Sequence, residues 1–211
     1  MGALDILVIL FITIGPGKAA AVFLGMTAGT DRAFKRQVAI RTVTVATIVS
    51  VVFVLFGKAI LGMFHISMPA LMIAGGLILF VFALQLVLGE DHAAPNGAAR
   101  PAPSIEIASY PLAVPLMASP QGLVAITTIA ASRPTVGNAL LMLALVGVVM
   151  AINLVVLLSA DKIFSRISPA VLKVTMRILG LLLCGLAVQL VIFGLIQLGV
   201  LPPGADQGAG H

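Results

Sequence analysis

Residues 140–159 read LLMLALVGVVMAINLVVLLS, an unbroken greasy run with one amide, Asn153, and one hydroxyl, Ser159. The hydrocarbon core of a bilayer is about 30 Å thick, and about 20 apolar residues cross it as a helix. A helix satisfies its own backbone hydrogen bonds, as any spanning segment must. The run does not alternate, so it is no barrel strand. Comparable runs place six spans near 4–28, 38–57, 69–89, 111–131, 138–159 and 174–199. The expected fold is all-α: a polytopic membrane protein with six transmembrane helices. The whole chain agrees, with 61% hydrophobic and 9% charged residues and a mean hydropathy of +1.21. A soluble domain is nearer one quarter charged.

The net charge of +5 does not point to nucleic acid. The cations lie scattered between apolar runs, with one Tyr and no Trp to stack on bases. They sort by membrane side instead. Six spans put Arg32, Lys35, Arg36, Arg41, Arg100, Lys162, Arg166 and Lys173 on one side, against Lys58 and Arg133 on the other. The positive-inside rule makes the first side cytoplasmic and both termini extracytoplasmic. The start, MGALDILVIL, carries an acid and no cation before its apolar run. It is a poor secretory signal, so the run is expected to stay as a span.

A displacement of 104 residues brings Pro16 onto Pro120, Lys58 onto Lys162, Gly76 onto Gly180 and Gln85 onto Gln189. It also lays ALQLV (83–87) over AVQLV (187–191). Pro, Lys and Gln are uncommon inside apolar spans, so these matches carry weight. The implied division is a three-span repeat over 1–89, a flexible cytoplasmic linker over 90–110, a second repeat over 111–200 and a disordered tail over 201–211. Three is odd, so the second repeat enters from the opposite face. That is the inverted arrangement of many secondary transporters.

Helix breakers sit at matched positions. GPGK (15–18) lies in span one and SPQG (119–122) in span four. Proline lacks a backbone donor and clashes with the preceding turn, and glycine lets the chain leave the helix. Both spans are expected to break, and the helix restarting after each break aims a partial positive charge at the gap. Such ends suit a carboxylate. The candidate substrate-binding residues are Thr13, Gly15, Pro16, Gly17 and Lys18 at the first break, Ala118, Ser119, Pro120 and Gln121 at the second, and Asn153. Lys18 attracts a substrate carboxylate, is held neutral, or snorkels to polar surroundings. Asn153 lines a cavity or bonds another helix, the commoner role. Gln85 and Gln189 are expected to bond structurally, and Arg177 to sit at an interface.

Catalytic patterns are lacking. His65, His92 and His211 are far apart without metal-ligand spacing. GPGKAA is no phosphate loop, since Ile12 and Ala19 stand where Gly and Ser or Thr are needed. No Asp or Glu lies deep in a span to relay protons. We expect no enzyme activity, no cofactor and no metal.

Four segments resemble the MarC family of inner-membrane proteins: GPGKAAAVFLGMT (15–27), FGKAILGMFHISMPALMIAGGLILFVFAL (56–84), YPLAVPLMASPQG (110–122) and MRILGLLLCGLAVQLVIFG (176–194). The likeness covers nearly the whole chain outside 90–109 and the tail. It implies a six-span protein of the bacterial inner membrane, some of whose relatives transport small neutral amino acids such as glycine and alanine. The chain departs from the family pattern at both breaks. Gly15 stands for the family's Asn, Lys18 for Gly, and Ser119-Pro120-Gln121 for Gly-Pro-Gly. The expected function is a secondary transporter of a small zwitterionic solute, with that solute and the lipid bilayer as partners. The rival is a non-transporting scaffold or assembly partner, and an intramembrane enzyme ranks third.

Overall fold

The computed structural model describes residues 2–88, 104–164 and 169–202, leaving aside the side chains of Lys18, 161–164, 169, 170, 172 and 173. Among the described residues, seven α-helices follow in order: α1 (Ala3–Ile14), α2 (Pro16–Met26), α3 (Arg32–Met63), α4 (Met68–Leu88), α5 (Pro120–Ser132), α6 (Val136–Phe164) and α7 (Pro169–Gln197). A proline-rich segment, Ile105–Met117, precedes α5. The expected linker lies mostly outside the described residues, as does the tail beyond 202. The linker's last residues form a 3-10 turn, Ile105–Ala108, packed on α3.

Short polar side chains start the helices. A helix leaves its first N–H groups without partners, and an oxygen just before it accepts one. Asp31 accepts from the Phe34 amide at 3.2 Å, Ser67 from Ala70 at 3.2 Å, Ser119 from Gly122 at 3.2 Å and Thr135 from Asn138 at 3.2 Å. Pro16 and Pro120 occupy the first position of α2 and α5, where a missing N–H costs nothing.

Among the described residues, five helical stretches are long and apolar enough to cross a membrane: Ala3–Met26, Arg32–Met63, Met68–Leu88, Val136–Ala160 and Val174–Gln197. These match five of the six expected spans. The fourth, expected over 111–131, differs. Pro111 and Pro115 cannot donate to a helical ladder, and Tyr110 and Val114 before them are extended (φ −134, ψ 126; φ −130, ψ 125), as pre-proline sterics favour. The segment then meets α5 at an angle of 57°. The 13 residues of α5 rise about 20 Å, too little to cross alone. A sixth crossing exists when the bent pair counts as one span.

Large apolar side chains cover the outside: Leu4 is 76% exposed, Val136 77% and Leu181 65%. In water such a surface would aggregate; against lipid it is the favourable one. Leu10, Ile14, Phe23, Leu112, Met117, Ile126 and Met142 fill the interior.

The most extensive packing joins α4 to α7. A Cβ on Gly76 would meet the Ala187 carbonyl at 2.8 Å, then Val191 and Leu190. One on Gly180 would meet the Ala83 carbonyl at 3.0 Å, with Leu86 and Val87. Gly194 lies on Pro69 and Ile73. Rising numbers on one helix meet falling numbers on the other, so the pair is antiparallel. Small residues let the two backbones approach closely. Ala83, Leu86 and Val87 stand 104 positions before Ala187, Leu190 and Val191. Other contacts pair off likewise. α1 packs on α6 as the 105–117 segment packs on α3; α2 packs on α6 and α7 as α5 packs on α3 and α4.

Candidate functional site

The helix α1 stops at Ile14, and Gly15 is extended (φ −78, ψ 175) before α2 starts at Pro16. A side chain at Gly15 would collide with the Phe11 carbonyl, so glycine is required here. In a continuous helix the carbonyls of Thr13 and Ile14 would accept from the amides of residues 17 and 18. The interruption turns both carbonyls out of the regular helical ladder at the negative end of α1.

Two remote side chains take them up. Ser119 Oγ donates to the Thr13 carbonyl at 2.8 Å, and Asn153 Nδ2 donates to the Ile14 carbonyl at 2.8 Å. Ser119 is the extended residue before α5 (φ −71, ψ 150), so one hydroxyl caps the start of α5 and the end of α1. Around it the packing is tight. A Cβ on Gly75 of α4 would overlap the Pro120 ring, and one on Gly122 would overlap the Ile14 side chain. The two proline interruptions therefore meet at one junction built by α1, α4, α5 and α6.

The ten candidate residues are placed unequally. Thr13, Gly15, Pro16, Ala118, Ser119, Pro120 and Asn153 are buried. The Thr13 hydroxyl donates back to the Ile9 carbonyl at 2.8 Å, and the Ala118 amide donates to the Ala113 carbonyl at 2.7 Å. Gln121 is half-buried and Gly17 exposed. The backbone of Lys18 lies in the first turn of α2, while its side chain lies outside the described atoms. Gln85 is exposed and Gln189 half-buried, and neither shows the structural hydrogen bond expected of it.

Among the described residues, four buried side-chain atoms have no hydrogen-bond partner: Thr42 Oγ1, Ser50 Oγ, Thr127 Oγ1 and Asn153 Oδ1. A native structure holds few such atoms, and each calls for a reason such as a bound ligand or water. Asn153 spends its amide nitrogen on Ile14 and keeps its carbonyl oxygen spare. Thr42 and Ser50 share the buried face of α3 with Ala46 at four-residue spacing, and Thr127 of α5 lies against Gly57 of α3. These three hydroxyls and Gly75 were not among the sequence candidates. The i, i+4, i+8 row of small residues on α3 was the signal that marked the first two.

An all-helical chain with a lipid-compatible exterior and a buried polar junction between helix ends is a polytopic integral membrane protein. It belongs to the MarC family of integral membrane proteins, whose model matches residues 3–198. A UPF0056 membrane protein of Methanocaldococcus jannaschii is 32% identical over 88% of this chain and 92% of its own length. A UPF0056 membrane protein of Pyrococcus abyssi is 27% identical over 88% and 90%, and the UPF0056 membrane protein YvbG of Bacillus subtilis is 23% identical over 88% and 90%. No solved structure matches the chain.

Proposed function

We propose that the protein is a secondary transporter of a small zwitterionic solute, a neutral amino acid of the size of glycine or alanine. The observation that carries the reading is the junction itself. Two helix interruptions meet there, the carbonyls of Thr13 and Ile14 face side-chain donors, and Asn153 Oδ1 is left without a partner.

The chemistry of such a solute fits the ends on offer. Its ammonium group replaces the Ser119 hydroxyl and the Asn153 amide as donor to the two carbonyls, and Asn153 Oδ1 accepts a further N–H. Its carboxylate turns to the N-terminal turns of α2 and α5, where the helix dipoles are positive, with Lys18 in the first of these. The side-chain caps then stand in for the substrate when the junction is closed. A buried carbonyl is never left bare, which lowers the cost of the empty state.

Paired packing supports a three-plus-three inverted repeat, 1–89 with 111–200. The mirrored glycine contacts of α4 and α7 are what an internal two-fold relation produces. Alternating access then comes from one repeat rocking against the other about the junction. In this reading the protein sits in the bacterial inner membrane, the basic face is cytoplasmic and both termini point outward.

Counterflow of labelled glycine or alanine in proteoliposomes tests the proposal, with Lys18→Gly and Pro120→Ala as probes. Saturable exchange that falls in Pro120→Ala supports it; no binding and no flux for any small amino acid removes it.

A second reading, a non-transporting scaffold, draws on the tight packing of Pro120 on Gly75 and of Gly122 on Ile14. It requires the junction to stay closed. Water-soluble thiol reagents separate the readings at Ser119→Cys, and at Gly17→Cys, where an added Cβ meets nothing within 4 Å. Gly15 cannot serve, because its Cβ would strike Phe11. Reaction at position 119 in a Cys184→Ser background favours the transporter.

A further inference from the structure

Away from the junction, a cavity of about 250 Å³ lies between the first turn of α3 and the far end of α6. Its lining is Arg32, Lys35, Arg36, Leu157 and Leu158. We propose that this cavity binds the phosphodiester headgroup of an anionic phospholipid, with an acyl chain running down over Leu158.

Three features of the cavity lead there. The cations fall at i, i+3 and i+4, so they share one face of a single helical turn. Guanidinium groups present paired N–H donors that match phosphate oxygens. The positive end of the α3 dipole adds to that field. The neighbouring carboxylate, Asp31, caps the helix by accepting from the Phe34 amide at 3.2 Å.

The other wall is apolar. Leu157 is buried and Leu158 exposed on α6, so the floor is apolar and one side opens outward. A cationic rim over a leucine wall suits an amphiphile better than a free anion. The depth also fits. The 32 residues of α3 extend about 48 Å, while the hydrocarbon core needs about 30 Å. The first turn of α3 therefore reaches the headgroup layer, and Leu158, near the end of the Val136–Ala160 span, reaches the upper acyl region.

Native mass spectrometry of the full-length protein in detergent, with phosphatidylglycerol or phosphatidylcholine added, tests the assignment. The wild-type chain retains phosphatidylglycerol preferentially. Arg32→Gln with Arg36→Gln lowers that retention by about fivefold for each cation removed, while Lys58→Gln with Arg133→Gln, which removes an equal charge elsewhere, does not. Leu158→Ser also lowers it. Inorganic phosphate and glycerol 3-phosphate, at the same concentrations, do not displace the lipid. Equal retention of the two lipids, or no loss in the double variant, overturns the proposal. Displacement by inorganic phosphate overturns it too, assigning the cavity to a soluble anion. Folding of the variants is checked by the thermal exposure of Cys184. Should the double variant not fold, each single variant carries the same comparison at half the charge loss.

Discussion

Ser119 Oγ reaches across 106 residues of chain to donate to the Thr13 carbonyl at 2.8 Å. The same oxygen accepts from the Gly122 amide. One small side chain thus closes the end of α1 and the start of α5 at a buried position. Ser119→Ala removes both bonds, the cap of α5 and the tie to α1. The expected loss is about 1–3 kcal/mol of stability, read as a lower melting point in detergent through reaction of Cys184 with a thiol dye. An unchanged melting point would show that the hydroxyl is not holding the junction.

Asn153 makes the companion bond across 139 residues, to Ile14. Asn153→Leu fills the space but offers no donor, so stability falls by about 1–3 kcal/mol. Under the transporter reading, exchange of labelled glycine or alanine falls to background as well, because the spare Oδ1 is gone. Full exchange activity in a folded Asn153→Leu protein would take this residue out of the substrate site.

Gly76 and Gly180 occupy mirrored places in the seam between α4 and α7. Each would aim a Cβ at a backbone carbonyl, that of Ala187 or Ala83, and backbone cannot move aside cheaply. Gly76→Val and Gly180→Val are each expected to cost about 1–3 kcal/mol and to lower the melting point by similar amounts. A large cost at one and none at the other would count against the proposed inverted repeat.

Gly75 tests the packing of α4 on the second interruption. Gly75→Ala places a methyl group in the Pro120 ring, which pushes α5 off α4 and lowers stability by about 1–3 kcal/mol. Gly147→Ala, on α6, adds a methyl group with nothing within 4 Å and changes stability by less than about 0.5 kcal/mol. The contrast controls for the change of residue type.

The spans were legible because length and apolarity alone decide them. The runs around 38–57, 138–159 and 174–199 admit no other use. The displacement of 104 that aligned Pro16 with Pro120 also pointed to two segments that lie together, residues 13–14 and 119–122. The segment before α5 was not legible. Hydropathy sees 111–131 as one greasy stretch, yet Pro111 and Pro115 deny it helical donors, and the backbone turns extended at Tyr110 and Val114. The proline spacing carried that warning. What no linear pattern exposes is the partner of a freed carbonyl. That Ile14 would be served by Asn153, or Thr13 by Ser119, depends on how α6 and α5 dock. The same holds for Gly75, whose lack of a side chain matters only because a proline ring lies against it.

The central claim is that the closed junction opens alternately to each face of the membrane. Membrane-impermeant maleimide, applied separately to the two sides of oriented vesicles holding Ser119→Cys in a Cys184→Ser background, measures this directly. The account predicts labelling from both sides, slowed by added glycine or alanine. Position 119 remaining unlabelled from either side, in a protein that stays folded, would contradict it.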